Sequence, residues 1–261
     1  MFREFFMLLL LGHVLGDFYI QTTKMAEKKV KSLAWVFIHC ACYFGMVLVV
    51  GLPMLSVDIT FVAILAAGSH LVIDIAKFFY LSSYKRKRIV THAKVTYEKI
   101  PHEVERNAFF FDQLLHVICI IAIAYWMVQN NTVIVEFKVV EEFFDVIGLS
   151  ESLVVSWLLA LLLIHKPANI AIAKLLVIYK PTNTEEEKWT TNNAGRFIGT
   201  VERIIMLIFL SIGQFSAIGL VLTAKSIARY DRITKELAFA EYYLLGTLLS
   251  TLLVVLASFL L

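Results

Sequence analysis

The sequence predicts an all-α, polytopic membrane bundle of six to seven transmembrane helices, and three observations predict it. Of 261 residues, 59% are hydrophobic and 17% are charged, against about 25% charged in soluble domains. Mean hydropathy is +0.77. Apolar runs long enough to cross a bilayer recur along the whole chain, and basic residues gather in alternate loops, as the positive-inside rule requires.

The expected spans are 4–21, 33–52, 57–82, 108–129, 152–179, 197–222 and 237–260. The first opens on a signal-like MFREFFMLLLL but lacks a small-residue cleavage site, and it carries His13 and Asp17, so it reads as a retained helix. The fifth is interrupted by His165-Lys166-Pro167. Proline inside a helix removes a hydrogen bond and kinks it, which makes 168–179 a possible re-entrant or interfacial piece. The polar segment 183–195 separates two membranous halves, 1–129 and 130–261.

Loop one carries Lys24, Lys28, Lys29 and Lys31, and loop three carries Lys85-Arg86-Lys87-Arg88. The second loop has no basic residue and the fourth, 130–151, is acidic on balance. This places loops one and three in the cytoplasm and the N-terminus outside. The scheme leaves the basic segment 225–235 on the outer side. Either 152–179 acts as two short elements, or the helix from 197 bends back at Gly213 or Gly219.

Net charge is +3, too small to argue for nucleic acid. The cysteines, Cys40, Cys42 and Cys119, include no CxxC pair and are odd in number, which argues against a disulfide framework. Buried thiols are expected, with Cys40 beside His39 the one to test as a ligand. No serine-triad motif, P-loop or dinucleotide glycine fingerprint is present.

The chemistry concentrates in the first half. His13/Asp17, His70/Asp74 and Asp112/His116 are each four residues apart inside apolar runs, so each pair shares one helix face with about 6 Å of rise between its members. The topology above sets Asp17, Asp74 and Asp112 at one membrane depth near the cytoplasmic side. The histidines, with His39 from the second helix, lie deeper. Carboxylates and imidazoles in hydrocarbon are costly and mark function. Together these seven residues suit Zn, Mn or Fe, as one open catalytic metal backed by carboxylates or as two ions about 3.5–4 Å apart. The simpler alternative is a set of buried hydrogen-bonded pairs tying helices together. Asp17, Asp74 and Asp112 are the candidate catalytic carboxylates, and Lys77, one turn beyond Asp74, is placed to meet an anionic substrate.

The second half contributes charge. Arg196, Arg203, Lys225 and Arg229 are candidate receivers of a phosphate headgroup, since guanidinium donates in a planar fork. Asn193, Glu202 and Glu241 are expected to form a polar network with them. Glu202 and Arg203 sit on adjacent faces and cannot pair across a turn, so Glu241 is the expected partner of Arg203, Lys225 or Arg229. The bland alternative is interfacial snorkelling with one buried ion pair.

GHVLGDFYIQT, the His39 helix, HLVIDIAK and DQLLH resemble the bacterial membrane family catalogued as domain of unknown function 3307. The likeness continues through NNAGRFIGTVERII, AIGLVLTAKSIARY and AEYYLLGTLLS. It implies the fold class and not an activity. More distantly, the H-x-x-x-D spacing resembles metal-dependent membrane hydrolases grouped near phospholipase C. The function expected from the residues is therefore a metal-dependent hydrolase acting on a phosphorylated or lipid-like substrate at the cytoplasmic interface. An ion- or proton-coupled transporter, a haem or redox protein, and a scaffold with a structural metal are the competing classes. The bilayer is the expected environment, anionic lipid or a phosphorylated substrate the expected partner, and a homo-oligomer is compatible with the sequence.

Overall fold

The computed structural model describes residues 1–54, 56–85, 88–91, 94–97, 100–132, 137–180 and 192–261, with backbone alone at 85, 88–91, 94–97 and 192–194. The basic run 85–88 therefore lies outside the described side chains, as does Asn193, and most of the polar segment 183–195 lies outside the described residues. The chain forms two compact units, Met1–Val155 and Ser156–Leu261. That division falls within a helix rather than after residue 129.

In the first unit, α1 (Phe2–Val14) continues into a π-helical stretch, Leu15–Ile20. Gln21 is extended, and the Thr22 hydroxyl accepts from the Met25 amide at 3.2 Å to start α2 (Thr23–Lys29). A side-chain oxygen at that position satisfies one of the orphan amides of a new helix. Because of this restart, α2 leaves the first segment at 93°. Then follow α3 (Leu33–Gly51), α4 (Val57–Lys85) and α5 (His102–Gln129). A short antiparallel hairpin, β1 (Arg88–Thr91) with β2 (Lys94–Tyr97), joins α4 to α5 and is the exception to an otherwise helical chain among the described residues.

The helices α1, α3, α4 and α5 pack in the order α1–α3–α4–α5, with α5 returning to α1, which closes a four-membered ring. Its apolar centre contains Tyr43, Val47 and Ala63. The acidic stretch expected as a loop instead forms α6 (Lys138–Ile147), closed by Gly148 in the left-handed region at φ 67°. None of α6 is buried; Val139, Phe143 and Val146 stand exposed opposite Glu141, Glu142 and Asp145. That is the pattern of a helix lying in a membrane interface.

The helix α7 (Glu151–Leu176) runs unbroken through Pro167, so 168–176 is helix continuous with the fifth span and not a separate piece. In the second unit the stretch expected as one span, 197–222, is two helices, α8 (Asn192–Ser211) and α9 (Phe215–Ile227). They part at Gly213, whose φ of 71° suits glycine. Of the two alternatives left by the charge pattern, the turn at Gly213 is the one the chain adopts. Helices α10 (Tyr230–Lys235) and α11 (Leu237–Ser258) complete the unit, around Ala160, Ile164, Met206, Leu207 and Val254.

Among the described residues, five helices are long and apolar enough to cross a membrane, six when the bent first pair counts as one. Their outer faces are apolar: on α11, Leu244, Leu248, Leu252 and Leu256 are all more than half exposed while Val254 and Ala257 are buried. A soluble protein does not display a four-turn leucine stripe; lipid is the solvent that fits it.

Candidate metal centre

The ring of α1, α3, α4 and α5 directs every first-half candidate inward. His13, Asp17, His39, His70, Asp74, Asp112 and His116 are all buried, the most exposed being Asp17 at 6%. Each apolar helix turns its lipid-incompatible face to the bundle axis, which is why helical spacing located the three pairs and membrane depth added His39. Asp17 lies within the π-helical stretch, where each hydrogen-bonded turn takes up one extra residue; such stretches recur at functional sites.

On one side, His39 Nε2 lies 3.1 Å from His70 Nε2 and 3.5 Å from Asp74 Oδ2, and His70 Nε2 lies 3.5 Å from the same oxygen. His39 Nε2 is also 3.2 Å from Asp17 Oδ1. One imidazole N–H cannot serve three acceptors at once. A tetrahedral ion with bonds of about 2.0–2.2 Å holds its ligand atoms about 3.3–3.6 Å apart, and the His39–His70–Asp74 triangle has edges close to that length. Cys40 Sγ lies 3.9 Å from Asp74 Oδ2, and Cys40, His70 and Asp74 form one of the groupings close enough to share an ion.

On the other side, Gln113 Nε2 donates to Asp17 Oδ2 at 2.7 Å and lies 3.3 Å from Asp112 Oδ2, while its Oε1 faces His13 Nε2 at 3.3 Å. The imidazoles of His13 and His116 are 5.1 Å apart, and those of His70 and His116 4.2 Å. Both ring nitrogens of His116, Nδ1 of His13 and Oδ1 of Asp112 are buried without a hydrogen-bond partner. Buried polar atoms are nearly always paired. Each imidazole can offer one of its two nitrogens to a cation, so His13, His116 and Asp112 present unpaired ligand atoms at one place that suit a missing positive partner. His13, His70 and His116 form one grouping with ion-sharing distances, and Asp17, Asp112 and His116 another. The donor set fits a first-row divalent ion.

Two lysines complete the electrostatics. Lys29 Nζ contacts both oxygens of Asp74, at 3.0 and 2.8 Å, and Lys77 Nζ sits 2.7 Å from Asp112 Oδ2. Lys77, expected to meet substrate, thus has a carboxylate of the cluster as its partner. Lys29 was legible only as a loop charge; the 93° bend brings it back over the site. Tyr43 is a further residue that spacing did not reveal. Its ring stacks on His70 at 3.9 Å and 3°, fixing the imidazole plane.

Gly16 makes that stacking possible. A Cβ there would fall 2.7 Å from Tyr43 Cδ2, and Tyr43 is only 2% exposed, so its ring has nowhere to move. We expect Gly16→Ala to destabilise the protein by about 1–3 kcal/mol and to weaken metal retention by tilting His70, as read by thermal unfolding and elemental analysis in detergent.

The second-half cations have other occupations. Lys225 Nζ pairs with Glu202 Oε2 at 2.6 Å, a contact the antiparallel α8–α9 hairpin creates by setting both residues about equally far from Gly213. Glu202, not Glu241, is therefore the partner; Glu241 is exposed. Arg203, 2% exposed, donates to the Ile164 carbonyl at 2.6 Å, Asn169 Oδ1 at 2.7 Å, Ser250 Oγ at 3.2 Å and Thr200 Oγ1 at 3.2 Å. Pro167 cannot donate into its own helix, and a neighbouring helix commonly serves the turn so disturbed. Arg203 serves that turn. Arg196 and Arg229 are exposed. Reception of a phosphate by Arg203 and Lys225 would require breaking these contacts, so the expected anion pocket is replaced by a network that ties α7, α8, α9 and α11 together.

The family model for a protein of unknown function, DUF3307, matches residues 5–144, and the chain belongs to that family. The match contains the whole histidine–carboxylate cluster and ends before the second-half stretches that also carried the resemblance. No curated protein and no solved structure matches the chain.

Proposed function

We propose that this protein is a metal-dependent membrane hydrolase acting on a phosphorylated or lipid-like substrate at the cytoplasmic face of a bacterial inner membrane, with the N-terminus outward. The observation that carries this reading is the convergence of four imidazoles and three carboxylates from four helices, with buried nitrogens and an oxygen left unpartnered. Three carboxylates against Lys29 and Lys77 leave the cluster one positive charge short of neutral when the histidines are uncharged, which favours a divalent cation. A bound divalent ion supplies Lewis acidity, polarising a phosphoryl or ester oxygen and acidifying water toward neutral pH. His39, His70 and Asp74 would hold it, with a fourth position open as catalytic sites require. Asp17, Asp74 and Asp112 are the candidates for ligand or general base, and Lys29 and Lys77 are the cations nearest to an incoming anionic group.

A proton-relay or ion-coupled transporter uses the same residue types. The wiring favours a ligand set instead, because the carboxamide of Gln113 stands between His13 and Asp17 and an amide does not exchange protons as an imidazole does. The test is phosphate release from phosphatidic acid in mixed micelles by the purified full chain. Release is expected in the presence of Zn²⁺, Mn²⁺ or Fe²⁺, lost with chelator, and absent in His70→Ala. A metal-loaded protein that hydrolyses neither phosphate-ester nor carboxyl-ester lipids would remove the hydrolase reading.

A further inference from the structure

We propose that the cluster is a two-cation centre in which Asp17 is the bridging carboxylate, with His39, His70 and Asp74 around the first ion and Asp112, His116 and His13 around the second. This deepens the metal-dependent reading above and rests on it. The argument starts from the two oxygens of Asp17, which serve different neighbours. Oδ1 faces His39 Nε2 at 3.2 Å, and Oδ2 receives Gln113 Nε2 at 2.7 Å. Asp17 accordingly belongs to two groupings at ion-sharing distance, one with His39 and His70 and one with Asp112 and His116. A carboxylate whose oxygens point into two ligand sets is the geometry that bridges two ions about 3.5–4 Å apart.

The number of ligand atoms agrees. A single four-coordinate ion centred on His39, His70, Asp74 and Asp17 would take its ligand atoms from the first side alone, at the Nε2 atoms of the two histidines. It would leave both nitrogens of His116, Nδ1 of His13 and Oδ1 of Asp112 buried and unpartnered. A single ion on the second side would leave the His39–His70 contact at 3.1 Å and its two carboxylates unexplained. Only two ions give both sides a partner. The Gln113 amide now lies close to one oxygen each of Asp17 and Asp112, which is where positive charge on the second side would be felt, so it is the group expected to turn aside. Charge also agrees. Two divalent ions bring the cluster from a net negative to a strongly positive charge, which draws a phosphate-ester dianion more strongly than one ion would.

The experiment loads the chelator-stripped full chain, in detergent, with Mn²⁺ alone, then measures ions per chain by elemental analysis and spin coupling by electron paramagnetic resonance. The expected result is two ions per chain with an exchange-coupled multiline spectrum. His116→Ala is expected to retain one ion with an uncoupled six-line spectrum, and Asp17→Ala to lose the coupling. If Asp17→Ala does not fold, His116→Ala carries the same test from the other side of the bridge. One ion per chain at saturation, or two without coupling, overturns the bridged centre and leaves the metal-dependent reading standing. No bound ion overturns both.

Discussion

Replacing Asp74 with alanine is expected to abolish retention of the ion held with His39 and His70 and to lower stability by about 3–5 kcal/mol. Asp74 accepts two contacts from Lys29, which is 11% exposed, and lies against His39 and His70. Removing the carboxylate strands a buried ammonium, and stranding one member of a buried pair costs far more than the intact pair contributes. Two roles are superposed at this residue, and a second substitution separates them. Asp74→Ala combined with Lys29→Met removes both charges and is expected to recover most of the lost stability, because apolar replacement of a whole pair is often neutral. It is not expected to recover the metal. Hydrolysis should fall with the metal, by roughly 10²–10³-fold or more if the site loses 3–4 kcal/mol of transition-state stabilisation. Thermal unfolding beside elemental analysis reads the two effects independently. A double variant that regains both stability and metal would show that Asp74 acts only as a counter-charge to Lys29.

The second large effect is expected at a residue with no place in the metal site. Arg203→Ala leaves the Ile164 carbonyl, Asn169 Oδ1 and Ser250 Oγ without their donor and opens a cavity where the buried side chain stood between them. Each buried acceptor left unserved costs about 1–3 kcal/mol, and a cavity adds to that, so a loss of at least about 3 kcal/mol is expected. Arg203→Lys keeps the charge but cannot spread donors over three helices, since an ammonium is a point and a guanidinium is a fork. It should recover less than half of the loss. Metal content per folded chain is expected to remain that of the wild type. Loss of metal in Arg203→Ala at full stability would assign Arg203 to the ligand-binding machinery instead of the helix network.

The parts of this molecule that the sequence made legible are those fixed by short-range periodicity. His13/Asp17, His70/Asp74 and Asp112/His116 were visible because four residues is one helical turn, and apolar surroundings fixed the face they share. His39 had no paired acid, and its depth in the expected topology was enough to include it. The parts that escaped depend on where the chain turns. Lys29 stood among loop lysines with nothing to mark it, and it meets Asp74 only because the π-helical stretch ends at Gln21 and α2 leaves at 93°. Gln113 stands next to Asp112 in sequence, yet its contact with Asp17 crosses from α5 to the π-helical stretch that follows α1. Tyr43 looked like any apolar-face aromatic.

The second half shows the same division. Its charges were correctly read as needing partners, and Glu202 and Arg203 do not pair with one another. The partner of Lys225 was misassigned because the break at Gly213 folds α9 back along α8 and offers Glu202 in place of Glu241. Arg203 found neutral oxygens rather than an acid, near a proline whose helix continues through it. Pro167 signals a missing hydrogen bond, but the neighbour that serves the disturbed turn depends on packing that no local pattern specifies. The acidic stretch 138–147 carried an amphipathic period that could have announced α6; its net charge drew attention instead.

The most direct measurement is the first-row metal content of the full chain purified in detergent without added chelator, wild type beside His70→Ala. His70 belongs to three of the four ion-sharing groupings, so its loss leaves only the Asp17, Asp112 and His116 set intact. The expected result is a stoichiometric divalent metal in the wild type and, in a folded His70→Ala, loss of the ion held with His39 and Asp74. A folded, monodisperse wild type that neither contains nor takes up Zn²⁺, Mn²⁺ or Fe²⁺ would contradict the account at its centre.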